Sequence, residues 1–79
     1  MIKLYTSQTC ANCPGIKKQL DEAGLQYEQV DASTLEGREE LFAHGVRAVP
    51  YLVAENAYGS EYKALGNGIN VKSLKEFLG

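Results

Sequence analysis

The chain lacks the features that would place it in several large classes of protein. It has 79 residues, no tryptophan, two prolines and only two cysteines. No apolar run approaches the ~18 residues that a membrane-spanning helix needs. The N-terminus shows no basic segment followed by a long apolar stretch, so we expect no signal peptide and a cytoplasmic location. Two cysteines are too few for the disulfide framework of a small secreted protein.

An excess of charge of one sign is also missing. Eight basic and ten acidic residues give a net charge of −2, and the two signs are interspersed. Because no basic face can hold a phosphate backbone, we expect no nucleic-acid partner. Hydrophobic residues at 44% and charged residues at 23% are ordinary for a globular chain and exclude a disordered or collagen-like one. The length predicts a single domain over residues 1–79, which we expect to be monomeric.

The polarity pattern predicts a βαβ unit, then a helix, then a ββα unit. Alternating segments predict strands at residues 2–6, 26–31, 49–54 and 61–65. A parallel pair joined by a right-handed crossover and an antiparallel hairpin then give an α/β fold with a four-stranded mixed sheet and three flanking helices.

Helix starts and ends are also marked in the sequence. The first helix is predicted from Pro14, or slightly earlier, and Gly24 is placed to end it. Ser33 and Glu36 fit a capping box for the second helix, and Asn70 can cap the third. The residues predicted to form the apolar sides of the second and third helices are Leu35, Leu41 and Phe42, and Val71, Leu74 and Leu78.

The two cysteines form a Cys10-Ala11-Asn12-Cys13 motif between a strand end and a helix start. Unpaired N–H groups and the dipole at a helix N-terminus favour a thiolate and so lower the pKa of Cys10. That thiolate would attack a disulfide to give a mixed disulfide, which Cys13, about one turn away, could resolve. The spacing therefore predicts a redox pair with Cys10 as nucleophile and Cys13 as resolving thiol.

Three other interpretations of the cysteine pair stay open. A structural disulfide is unusual in a cytosolic chain. A zinc site would need about four ligands. In addition to the two cysteines, the sequence offers only one histidine, His44. An iron–sulfur cluster would need four thiolates, hence two chains. We therefore expect no bound metal.

Three segments together resemble a glutaredoxin and the related small redoxins that donate hydrogen to ribonucleotide reductase. These are the strand–CxxC–helix opening, the Gly-Val-Arg-Ala-Val-Pro run at 45–50 and the Gly-Asn-Gly turn at 66–68. The resemblance covers nearly the whole chain in order and spacing. It implies a thioredoxin fold, thiol–disulfide oxidoreductase activity and no bound cofactor, with glutathione as a co-substrate.

The resemblance also implies a set of substrate-binding residues. Pro50 would be cis and pack beside the cysteine pair, and the Val49 backbone would pair with extended substrate such as the cysteine of glutathione. Arg47 would contact a carboxylate. The substrate-binding set implied by the resemblance is Tyr5, Arg47, Val49, Pro50, Gly66 and Asn67.

Several positions depart from the family's pattern. Ala11-Asn12 replaces the usual Pro-Tyr, Ser7 replaces a lysine, and Ala48 replaces a threonine. The run 66–70 lacks the usual aspartate. The partners implied are disulfide-containing proteins, among them ribonucleotide reductase, with either glutathione or thioredoxin reductase as the electron source. A non-catalytic metal-binding or interaction module on the same fold is the rival of another class.

Overall fold

The computed structural model describes residues 1–11 and 13–79, and of Asn67 the backbone only. Within these residues the elements run in the order β1 Ile2–Thr6, α1 Cys13–Glu22, β2 Glu28–Asp31, α2 Leu35–Ala43, β3 Tyr51–Glu55, β4 Glu61–Leu65 and α3 Val71–Leu78, with a 3₁₀ turn at Gly66–Gly68 before α3. Over the described ranges, every helix is too short or too polar to cross a bilayer.

The strands form one mixed sheet in the order β2-β1-β3-β4. β1 and β2 are parallel, whereas β1–β3 and β3–β4 are antiparallel, which confirms the predicted mixed sheet. The register pairs Thr6 with Asp31, Tyr5 with Tyr51, and Tyr51 with Leu65. The last residues of β1, β2 and β4 and the first residue of β3 therefore lie along one edge, called here the Thr6 edge.

The alternation along the central strands sends side chains to two separate cores, as the period of a strand requires. On one face Leu4 and Leu52 are buried against α1 and α3. On the other face Tyr5 and Tyr51 are buried with Leu41 of α2. The first core also contains Ile2, Ile16, Leu20, Ala54, Ile69, Val71 and Leu74. The helices thus cover both faces of the sheet, α1 and α3 on one and α2 on the other.

The start of α2 differs from the predicted capping box by one residue. Thr34 is the N-cap, and its Oγ1 accepts a hydrogen bond from the Gly37 N–H at 3.0 Å. The Ser33 hydroxyl oxygen instead accepts from the Gln8 N–H at 3.2 Å. Ser33 was the wrong choice because a contact 25 residues away in sequence engages its hydroxyl, and local pattern carries no information about that contact.

The predicted apolar side of α2 is wrong in two of its three residues. Leu41 is buried, but Leu35 is 69% and Phe42 48% exposed. The predicted face of α3 fares better, since Val71 and Leu74 are buried and Leu78 packs at the margin of the core. α2 therefore rests on the sheet through a narrow contact.

Most other boundaries agree with the sequence. β1 and β4 have their predicted bounds, α1 begins at Cys13, and Gly24 ends that helix region with a φ of +71°. β2 begins at Glu28 rather than residue 26, since its pairing with β1 starts there. β3 begins at Tyr51, after the Val49–Pro50 bond, which is cis as the family resemblance implied.

Gly37 lies where the first turn of α2 crosses the end of β2. A Cβ on Gly37 would overlap the Asp31 carbonyl oxygen and lie 2.7 Å from the carbonyl carbon. Gly15 in α1 is a matched contrast, because a Cβ there meets nothing within 4 Å. The backbone of the β2–α2 junction thus leaves no room for a side chain at position 37.

We expect opposite effects from the same substitution at these two glycines. Gly37→Ala should lower the free energy of unfolding by about 1–3 kcal/mol, as overpacking does. Gly15→Ala should raise it by roughly 0.5–1 kcal/mol through better helix propensity. Urea unfolding of the oxidised variants measures both, and midpoints that move in the same direction would contradict the packing described.

Candidate active site

Three segments far apart in sequence meet at the Thr6 edge. The register aligns Tyr5, Tyr51 and Leu65 across three strands. The loop after β1, the segment before β3 and the turn after β4 therefore leave the sheet side by side. A hydrogen bond from the Gly66 N–H to the Pro50 carbonyl oxygen, at 2.7 Å, joins two of them directly.

The loop between β1 and the cysteine pair is fixed at both ends. The Cys10 N–H donates to the Ser7 carbonyl oxygen at 3.2 Å, which closes a turn. The Gln8 N–H donates to Ser33 Oγ, and the Ala32 N–H donates to the Thr6 carbonyl oxygen at 2.6 Å. The β2–α2 connection therefore holds the loop that carries Cys10.

Cys10 and Cys13 are joined in a disulfide, with their Cα atoms 5.5 Å apart. The two are not equally accessible. Cys13 is the first residue of α1 and is 2% exposed, whereas Cys10 is half-buried and reaches the surface. A thiolate arriving from solvent therefore meets Cys10 first.

A cavity of about 230 Å³ lies against the cysteine pair. Its lining includes, besides the two cysteines, Thr6, Gln8, Lys17, Gln29 and Asp31. Sequence reasoning did not place Gln29 or Asp31 in a site. The signal was present, because the carboxyl ends of adjacent parallel strands meet at one edge of a sheet, and β2 ends at Asp31.

The predicted substrate-binding residues are only partly brought together. Pro50 is buried and Val49 is half-buried, and the Pro50 carbonyl oxygen accepts a hydrogen bond from the Gly66 N–H. Arg47 is exposed, and its guanidinium lies 5.7 Å from the centre of the Phe42 ring. The side chain of Asn67 lies outside the described residues. The substrate-binding roles of these residues stay predictions.

Tyr5 lies in the core, with no exposed surface. Its hydroxyl donates to Glu40 Oε1 at 2.9 Å and lies 3.2 Å from His44 Nε2. Lys3 Nζ donates to the same Glu40 oxygen at 2.7 Å. Burial first, and then the bond to Glu40, raise the pKa of Tyr5 well above its ordinary value. Tyr5 is therefore a buried residue of the core on the α2 side of the sheet, and its substrate-binding role stays a prediction.

The zinc interpretation requires ligand side chains that lie close together. Among residues 1–11 and 13–79, no three His, Cys, Asp or Glu side chains are grouped to hold a metal ion. His44 faces Tyr5 and Tyr51 from the end of α2. Both cysteine sulfurs are engaged in the disulfide.

A sequence-family model described as glutaredoxin matches residues 2–58. The chain belongs to the glutaredoxin family. A relative named a probable thioredoxin, from Archaeoglobus fulgidus, is 37% identical over an alignment of 62 residues, and the match covers 73% of this chain and 68% of that protein. This chain carries a CxxC motif whose two cysteines are joined in a disulfide.

Solved structures similar to this glutaredoxin-family chain confirm the fold. The thioredoxin-like protein BC3987 superposes with a TM-score of 0.74 at 22% identity, over 99% of this chain and 100% of that one. The glutaredoxin-like NrdH-redoxin of Escherichia coli gives 0.70 at 22% identity, over 95% and 91%. Such identities show the architecture alone, and that architecture is the thioredoxin fold.

Tyr5→Phe separates a core role of the hydroxyl from a substrate-binding one. Losing the bonds to Glu40 and His44 should reduce the free energy of unfolding by about 0.5–1.5 kcal/mol. The KM for a disulfide substrate should not change, because the side chain has no exposed surface. Urea unfolding and steady-state kinetics measure the two effects. A raised KM with unchanged stability would instead support the predicted substrate-binding role of Tyr5.

Proposed function

We propose that this protein is a dithiol oxidoreductase that reduces protein disulfides and glutathione mixed disulfides through Cys10 and Cys13. The proposal rests on one observation: the two cysteines of a disulfide at the start of α1 are unequally exposed to solvent. Cys10 reaches the surface, while Cys13 is covered. An oxidoreductase needs this arrangement, because the client must meet one sulfur and leave the other free to resolve the intermediate.

The reaction proceeds in two displacements. In the reduced protein, the Cys10 thiolate attacks one sulfur of the client disulfide, and the other client sulfur leaves as a thiolate. Cys13 then loses its proton and attacks the Cys10 sulfur. The client leaves as a dithiol after taking up protons, and the protein retains the Cys10–Cys13 disulfide. Two electrons pass from the protein to the client.

Residues at the Thr6 edge support binding of an extended client segment. Val49 lies just before β3, outside the ladder that begins at Tyr51. It is half-buried and follows the exposed Arg47 and Ala48. We propose that the Val49 backbone pairs with client backbone beside Cys10. By family resemblance the clients include ribonucleotide reductase, and the cytoplasm is the compartment in which such a reductant would act.

Replacing each cysteine by serine should separate the two displacements. Cys10→Ser removes the nucleophile and should abolish all turnover. Cys13→Ser should stop reduction of a protein disulfide such as that of insulin, yet preserve turnover of a glutathione mixed disulfide, because glutathione itself can resolve that intermediate. Coupled assays with both substrates measure this, and full activity of Cys10→Ser would refute the assignment.

The electron source is the second part of the proposal. Glutathione carries two carboxylates and an ammonium, which need charged partners. Ser7, Ala48 and the 66–70 run supply none, and the Arg47 guanidinium lies over Phe42. These features favour thioredoxin reductase, which can dock on the protein surface. Glutathione is the alternative co-substrate, and its binding would require Arg47 to leave the Phe42 ring and the Val49 backbone to pair with it beside the hydrogen-bonded Pro50 and Gly66.

Consumption of NADPH distinguishes the two electron sources. The oxidised protein is supplied either with thioredoxin reductase or with glutathione and glutathione reductase, and insulin is the terminal disulfide. We expect faster turnover with thioredoxin reductase, because that route needs no glutathione pocket. Faster turnover with glutathione would contradict the assignment of thioredoxin reductase as the electron source. If neither system consumes NADPH, the non-catalytic module is favoured.

A further inference from the structure

The cavity against the cysteine pair contains two opposite charges that do not neutralise each other. Lys17 and Asp31 both line it, and both are half-buried. Among the described residues neither one has an ion-pair partner within 4.0 Å. A cation and a carboxylate therefore border one small space, each able to accept a counter-charge from a ligand.

Local structure explains only part of this arrangement. Asp31 Oδ1 accepts a hydrogen bond from the Ser33 N–H at 2.8 Å, a turn contact that uses one of the two carboxylate oxygens. The neighbouring Lys18 is exposed, and its Nζ lies 4.0 Å from Oε1 of Glu22 on the same helix. Lys17 instead lies one helical turn after Cys13, on the side of α1 that borders the cavity.

We propose that this cavity is a subsite for small disulfides that carry an α-amino acid group, of which cystine is the simplest. The ligand's carboxylate would bind Lys17 and its ammonium Asp31, on the α1–β2 side of the disulfide. This proposal rests on the proposed oxidoreductase function and names a substrate class for it. The site lies away from the Val49–Pro50–Gly66 side, where extended clients are proposed to bind.

Size and reach support an amino-acid disulfide. At about 230 Å³ the cavity is smaller than the ~300–1,000 Å³ pockets that hold drug-sized ligands. In cystine, both charged groups stand on the carbon next to the sulfur-bearing one. A ligand whose sulfur contacts Cys10 thus has its charges within the space that Lys17 and Asp31 border. In glutathione disulfide, the ammonium lies several bonds farther from the sulfur.

The reaction at this subsite balances as it does for a protein client. The Cys10 thiolate attacks one sulfur of cystine, and one cysteine leaves as a thiolate. Cys13 loses its proton and attacks the Cys10 sulfur of the mixed disulfide, which releases the second cysteine. The two cysteine thiolates take up protons, cystine gains two electrons, and the protein dithiol becomes the Cys10–Cys13 disulfide.

The test measures single-turnover oxidation of the full chain, first reduced with dithiothreitol and then freed of it. Five disulfides serve as probes: cystine, glutathione disulfide, cystamine with ammonium groups only, dithiodipropionate with carboxylates only, and uncharged bis(hydroxyethyl) disulfide. Loss of protein thiols is followed by quenching and mass spectrometry. Each rate is divided by the rate of dithiothreitol with the same disulfide, and then by the bis(hydroxyethyl) disulfide value, which removes any change in thiolate reactivity.

We expect a reciprocal pattern in the variants. Lys17→Gln should lower the normalised rates with cystine and dithiodipropionate by about two- to fivefold, the size of one partly exposed ion pair, and leave cystamine unchanged or faster. Asp31→Asn keeps the oxygen that accepts from the Ser33 N–H. It should lower the normalised rates with cystine and cystamine by a similar factor. Lys18→Gln and Glu28→Gln are the matched controls, since both are exposed residues of α1 and β2, and should change no ratio.

Two results would overturn the subsite. One is a set of ratios that does not differ between the Lys17 and Asp31 variants and their controls. The other is a loss that appears with glutathione disulfide but not with cystine. Under either result, continued oxidation by bis(hydroxyethyl) disulfide leaves the proposed function standing. If the unmodified protein is oxidised by none of the disulfides, both proposals fail together.

Discussion

The position of β1 between a parallel and an antiparallel neighbour is the constraint on which the rest of the structure depends. Its last residues pair with β2 on one side and with β3 on the other. A shift of one residue in either register would turn the buried side chains of a strand toward the opposite face. The same pairing fixes where the chain leaves the sheet. The core and the site are therefore set by one alignment.

The alignment gives the cysteine pair two different surroundings. On the β3–β4 side lie two loop segments that present backbone groups, Val49–Pro50 and Gly66, and the Gly66 N–H donates to the Pro50 carbonyl oxygen. On the β2 side lies a cavity bordered by charged and amide side chains. Backbone groups suit an extended peptide of any sequence, whereas fixed charges suit a ligand of defined charge pattern. If both proposals hold, the single Cys10 sulfur would serve substrates of two kinds.

The sequence predicted the fold well wherever local pattern and tertiary structure require the same residue. β1 and β4 have their predicted bounds, Gly24 adopts the positive φ its position requires, and Asn70 accepts from the Ser73 N–H as the cap of α3. It failed where a distant contact decides the outcome. The Ser33 hydroxyl is engaged by the Gln8 N–H, which lies 25 residues away in sequence. The place of Asp31 beside the cysteines likewise depends on strand pairing across 25 residues of chain, Thr6 to Asp31.

The two faces of the sheet are unequal in apolar content, and this bears on how the molecule opens. Among the described residues, nine buried hydrophobic residues form the core shared by α1 and α3, whereas the buried cluster on the α2 face has three, two of them tyrosines. Segments with little buried apolar surface open at a lower free energy than the whole domain. We therefore expect α2 to open at a lower free energy than α1 and α3, and its opening would loosen the adjoining Ser33 contact that holds the Cys10 loop. Fluctuations on the sparsely packed face would thereby be transmitted to the reactive sulfur without unfolding the better-packed half.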